Sequence, residues 1–144
     1  MKIKKTTNTK IINYFYNLKI TDKNYQDIYV IIKLGYTNDN ILNENSRIYF
    51  EDLNIISKDQ IIKINKGYYR KNIIYVDTPI EIYQNSTKIS IKKDIYIYMD
   101  KLLLVGKDVY IINQKTKTVA NQINIDLKTL NYTLNKVSGT FYKQ

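Results

Sequence analysis

Two closely spaced carboxylate pairs, Glu51 with Asp52 and Asp77 with Glu81, are the residues of this sequence whose types suit acid–base chemistry. Alternation along a strand sends neighbouring side chains to opposite faces, so Glu51 and Asp52 are not expected to grip one substrate atom together. Asp77 falls in a turn signal and Glu81 on a strand, both expected to be solvated. Histidine and cysteine are absent, which removes the Ser-His-Asp triad, the Cys-His pair and the common zinc ligand sets. The four glycines, Gly35, Gly67, Gly106 and Gly139, match neither a phosphate loop nor a dinucleotide fingerprint. Gly106 and Gly139 follow alternating runs and are expected to serve turns. The chain is therefore expected to be non-enzymatic, with no cofactor and no metal.

Charge is the next candidate. The formal net charge is +10, a balance that suits phosphates or an acidic membrane surface. Only Arg47 and Arg70 carry a guanidinium, however, and the excess is lysine. Specific phosphate sites favour the bidentate arginine fork, and Ile, Lys, Asn and Tyr are together the residues of AT-rich codons. Fifteen tyrosines interleave with those lysines, a pattern that could stack single-stranded nucleic acid. Tyrosine is equally a preferred strand residue, no RNP-like motif stands out, and nucleic acid is not an expected partner.

The elements that must position these residues alternate with period two almost throughout, which predicts an all-β fold. Ile11 to Ile20 and Ile28 to Leu34 form two alternating runs. Arg47 to Ile56, Gln60 to Tyr69 and Lys88 to Tyr98 form three more, and Lys93 interrupts the apolar face of the last as a bulge or open edge would. Turn signals fall at Thr21 to Asn24, Thr37 to Asn40, Ser57 to Asp59, Asp77 to Pro79, Gly106 to Asp108 and Lys115 to Lys117. One domain over residues 1–144 is expected, with N-terminal strands in 1–40 and a repeated portion over 47–141. No window approaches a membrane-spanning helix, and the basic opening lacks the pattern of a signal peptide.

The repeat has a period of about 28 residues. Tyr69–Tyr83 (YRKNIIYVDTPIEIY), Tyr98–Ile112 (YMDKLLLVGKDVYII) and Asp126–Phe141 (DLKTLNYTLNKVSGTF) each combine a polar turn, alternating apolar residues and a second short turn. Equivalent apolar positions read Ile73/Leu102/Leu130, Tyr75/Leu104/Tyr132 and Ile80/Val109/Val137. Such units predict an elongated antiparallel sheet built from repeated strand-turn-strand units.

The phrases DTPIEIYQ, YMDKLLLVGKDVYII and INIDLKTLNYTLNKVSGTFY, in that order between Arg47 and Phe141, resemble the OstA-like β-jellyroll family of lipopolysaccharide-transport proteins, the family of LptC and LptA. The resemblance implies an elongated, twisted antiparallel β-jellyroll, a periplasmic, non-enzymatic component of lipopolysaccharide export that holds acyl chains between its sheets. It implies a slot lined by Ile80, Ile82, Ile89, Ile91, Ile95, Ile97, Leu102, Leu104, Val109, Ile111, Ile123 and Ile125, with Lys88, Lys92 and Lys93 meeting lipid phosphates at its rim. Other jellyroll components joined by edge-strand pairing, and inner-membrane transporter subunits, are the implied partners. A membrane anchor or cleaved export signal belongs to the family pattern, and this chain shows neither. The competing readings are a β-repeat module that acts through protein contacts alone, and a basic nucleic-acid binder.

Overall fold

The computed structural model describes residues 13–22, 25–58 and 60–141. Ile11 and Ile12 of the first alternating run, Lys23 and Asn24 of the first turn signal, and Asp59 lie outside them. The described residues form ten strands: β1 (Asn13–Asp22), β2 (Tyr25–Thr37), β3 (Ile48–Ile56), β4 (Ile61–Arg70), β5 (Ile73–Val76), β6 (Ile80–Gln84), β7 (Thr87–Tyr98), β8 (Leu103–Ile112), β9 (Thr116–Asp126) and β10 (Tyr132–Phe141). All pairings are antiparallel, in the order β1-β2-β3-β4-β5-β7-β8-β9-β10, with β6 also on β7. The fold is all-β, as the alternation predicts, and among the described residues no helix is long and apolar enough to cross a membrane.

Short turns join neighbours in sequence into neighbours in space. Lys71 and Asn72, with φ of 51° and 63°, make a two-residue hairpin between β4 and β5, the twist-matched geometry for such loops. Asn113 Oδ1 accepts hydrogen bonds from Lys115 N and Thr116 N at 2.9 Å each, so the β8–β9 turn lies at Asn113–Lys115. Thr116 and Lys117 already belong to β9, a shift from the signal at Lys115 to Lys117.

The buried positions keep period two within each half of a strand but slip by one residue midway. On β2 they run Ile28, Val30, Ile32 and then Gly35, Thr37; on β3, Ile48, Phe50 and then Leu53, Ile55. On β8 they run Leu104, Gly106 and then Val109, Ile111. The slips line up across the sheet: registers place Asn17, Lys33, Asp52 and Asn65 in one row over β1–β4. Lys92, Asp108, Asn121 and Lys136 continue the row over β7–β10. Several of these residues adopt positive φ, among them Asn17 (56°), Asp52 (76°), Asp108 (60°) and Lys136 (55°), a region that Asn and Asp tolerate better than most. In β7 the slip is a bulge between Lys93 and Tyr96, beside Asp94 with φ 52°, so the interruption at Lys93 is indeed a bulge.

This row is a crease. There is one sheet, yet residues on both sides of the crease, such as Val30, Leu53, Ile64, Ile91, Ile97 and Leu104, are at most 1% exposed and share one apolar cluster. Among the described residues only the other half of the same sheet is available to cover them, so the sheet folds along the crease with its apolar faces inward. At the crease two consecutive side chains turn outward, and in β7, where the bulge adds a residue, three do (Lys92, Lys93 and Asp94), which keeps each half's apolar set inside.

Three expectations change as a result. Gly106–Asp108 is not a turn but the crease within β8; Gly139 likewise lies within β10, and neither glycine has positive φ. What Gly106 supplies is room, because a Cβ there would collide with Ile91 Cγ2. Glu51 and Asp52 do not point to opposite faces: both are exposed between buried Phe50 and Leu53, because Asp52 is the slipped residue. Finally, Tyr75 and Leu104 are not equivalent. The β4–β5 hairpin is shorter than the Met99–Leu102 turn, so Ile74 takes the inward place and Tyr75 faces out. Ile73, paired with Arg70 beside a two-residue turn, holds the place of Leu103, paired with Tyr98 beside a four-residue turn, so Ile74 rather than Tyr75 corresponds to Leu104.

Candidate functional site

Every one of the twelve apolar residues proposed for a slot faces inward. Their exposures run from 0% for Ile89, Ile91, Ile97, Leu104, Val109, Ile123 and Ile125 to 6% for Ile111. Strand register brings them together: Ile80 opposes Ile91, Ile82 opposes Ile89, Ile97 opposes Leu104, and Leu104 opposes Ile125. Each such burial contributes about 1.5–3 kcal/mol. The same cluster takes in Ile28, Val30 and Ile32 from β2, outside the repeated portion, and Phe50, Leu53, Ile55, Ile62 and Ile64 from β3 and β4, outside its three aligned copies. The same alternation marks them.

The lysines lie on the opposite face. Lys88 pairs with Glu81 at 3.6 Å, with both side chains more than a third exposed, a contact worth about 0–1 kcal/mol. Lys92 Nζ lies 5.9 Å from the centre of the Tyr110 ring, which Lys117 also approaches at 5.2 Å. Lys93 is exposed opposite Lys107 at the crease. The three are not gathered at a rim of the interior, and a ligand inside the fold would meet them only by reaching around an edge. Of the carboxylates, Glu81 accepts a hydrogen bond from Tyr83 Oη at 3.0 Å, while Asp77 is exposed in the crossing from β5 to β6.

Outside, the tyrosines form a ladder. Tyr14, Tyr36, Tyr49, Tyr68, Tyr75 and Tyr96 oppose one another on successive strands, with ring centres 4.4–6.1 Å apart. Tyr36–Tyr49 and Tyr68–Tyr75 are stacked. Such cross-strand aromatic pairs stabilise a sheet by about 0.2–1 kcal/mol each. The other three contacts are tilted or edge-on. Arg47 lies 4.7 Å over the Tyr68 ring, and its hydrogen bond to Tyr49, followed by the charge of Tyr68, raises its already high pKa.

Inside the same half, Tyr69 is half-buried and donates to Asn72 Oδ1 at 3.0 Å. Burial is the main cause that pushes its pKa above the usual 10. A pKa raised on folding gives stability that is full below the unfolded value and is lost as pH rises through the folded one. Alkaline unfolding is thus expected to begin above about pH 10. Tyr69→Phe should flatten the pH dependence of the urea midpoint there, and an unchanged slope would exclude Tyr69 as its source.

Three parts of the sheet are left unpaired among the described residues. β1 and β10 end the strand order, and Asn135–Gly139 of β10 are all exposed, with Val137 at 54%. The third is internal: β4 runs alongside β6 without pairing to it, and the Gln60 Nε2 hydrogen bond to Tyr83 O at 2.9 Å crosses that gap. No protein-family model matches the sequence, and no curated protein does. Among solved structures the chain is similar to the crystal structure of LptH, the LptA-homologous periplasmic component of the lipopolysaccharide transport device of Pseudomonas aeruginosa. The match has 11% sequence identity and a TM-score of 0.33, and covers 93% of this chain and 96% of that one.

Proposed function

We propose that this chain is a non-enzymatic lipid carrier of lipopolysaccharide export, working in the periplasm, that shelters acyl chains between the two halves of its folded sheet. The observation that carries the reading is the interior itself: one continuous apolar cluster inside a single folded sheet, with a seam between β4 and β6 that no strand pairing closes. Parting that seam admits a chain without breaking a ladder of backbone hydrogen bonds. The free edges of β1 and β10 suit β-augmentation, so that jellyroll components join end to end and the interiors become one path. Inner-membrane transporter subunits are the proposed partners at one end of that path.

A second reading is favoured by how full the interior is. The twelve inward residues are at most 6% exposed, the packing of a β-module that acts through protein contacts alone. Native mass spectrometry of the protein from a lipopolysaccharide-producing host separates the two. A lipid-bound species that delipidation removes and added lipopolysaccharide restores is expected for a carrier. A single apo mass that added lipopolysaccharide leaves unchanged would favour the packed module.

A further inference from the structure

Beside β7 the strand pairing is interrupted on one side. β5 pairs with Ile95–Tyr98 and β6 with Thr87–Ile91, so on that side no strand pairs with Lys92, Lys93 and Asp94. The crossing Asp77–Pro79 spans the break and leaves a notch of about 390 Å³. A backbone edge with no ladder partner needs hydrogen bonds from elsewhere. Thr78 Oγ1, in the notch wall, is also buried without a partner.

Charge and ring geometry narrow what fits. Asp94 pairs with Lys107 at 3.9 Å, with both side chains more than half exposed, and the notch lining carries Lys92 and Lys93 together with the carboxylates of Asp77 and Asp94. Arg47, over Tyr68, adds a further positive charge nearby. The aromatic wall is the end of the tyrosine ladder: Tyr68 and Tyr75 stacked at 4.4 Å, and Tyr96 edge-on to Tyr75 at 5.7 Å. Tyr68 and Tyr75 use one face each on one another, and Tyr96 meets Tyr75 edge-on. Phenol hydroxyls, a carboxylate and a threonine suit a polyhydroxylated ring.

We propose that this notch binds a sugar phosphate, with the phosphate held by Lys92 and Lys93 and the sugar hydroxyls by the tyrosine edges, Asp77 and Thr78. The site stands whether or not the interior takes a lipid. Its test is a titration of the full chain, followed by amide chemical shifts, with glucose 1-phosphate, glucose and inorganic phosphate in parallel, and phosphatidylglycerol vesicles as the lipid-headgroup arm. Glucose 1-phosphate is expected to shift amides at 75–78 and 92–96 and to bind roughly tenfold tighter than glucose or phosphate alone. Exchanging both exposed lysines (Lys92→Gln with Lys93→Gln) should weaken it roughly tenfold, while Lys58→Gln with Lys63→Gln should leave it unchanged. Equal binding of phosphate alone, shifts elsewhere, indifference to the Lys92/Lys93 pair, or binding to vesicles only would each overturn the assignment.

Discussion

Gly67→Ala is expected to destabilise the protein by about 3 kcal/mol or more, at the upper end for inserting one methyl group into a packed fold. Gly67 sits where β4 leaves the crease, opposite Val76 of β5. An added Cβ would collide with the carbonyl oxygen of Tyr75 and stand 2.9 Å from Phe50 Cζ. Phe50 is 2% exposed and has little space to turn into. The carbonyl is worse, because it belongs to a four-residue strand whose pairing with β4 runs only from Gly67↔Val76 to Arg70↔Ile73. Moving it costs that ladder. Domains of this kind are stable by about 5–15 kcal/mol, so a large share of the folded population is at stake. Gly139→Ala provides the contrast, since the nearest atoms to its Cβ would be at 3.7 and 3.9 Å, and a change within about 0.5 kcal/mol is expected. Urea midpoints of the two variants measure the difference. Equal midpoints would mean that the crease does not depend on close backbone approach at Gly67.

Ile97→Ala and Leu104→Ala are each expected to cost about 2–5 kcal/mol. Both side chains are fully buried, and they oppose each other directly across β7 and β8. Because they are neighbours, the double variant should depart from additivity by more than about 0.5 kcal/mol. Ile112→Ala on the outer face, where the side chain is 36% exposed, should cost under about 1 kcal/mol. Denaturant midpoints give all four values. Small losses at Ile97 and Leu104, comparable to that at Ile112, would mean that the halves of the sheet do not cover each other as tightly as the burial indicates.

The alternation of Ile89, Ile91, Ile95 and Ile97 was enough to place the inward face of β7, and all four are buried. Side-chain burial in a two-sided sheet is a local property with period two, so one strand's pattern carries it. The crease is different. At Gly106–Asp108 the sequence offers a glycine and an aspartate, the composition of a turn and of a bulge alike, and only the aligned slips on neighbouring strands separate the two. The inversion at Tyr75 has the same origin, since strand pairing beside the turn decides that Ile74 corresponds to Leu104. The tyrosine ladder was legible only as a composition. Tyr14, Tyr36, Tyr49, Tyr68, Tyr75 and Tyr96 have no common spacing, and strand register alone makes them a row. The notch at Lys92–Asp94 was visible only as the interruption at Lys93, because it depends on where β5 stops and β6 begins.

The proposal that the interior holds acyl chains is tested most directly by site-specific photo-crosslinking. A photoreactive residue placed in turn at Ile97, Leu104 and Tyr96 samples two inward positions and one that faces out beside them on β7. In cells exporting lipopolysaccharide, crosslinks to the lipid are expected at Ile97 and Leu104 and not at Tyr96. Labelling confined to Tyr96, or no lipid captured at either inward position in a folded protein, would contradict a lipid path between the halves of the sheet.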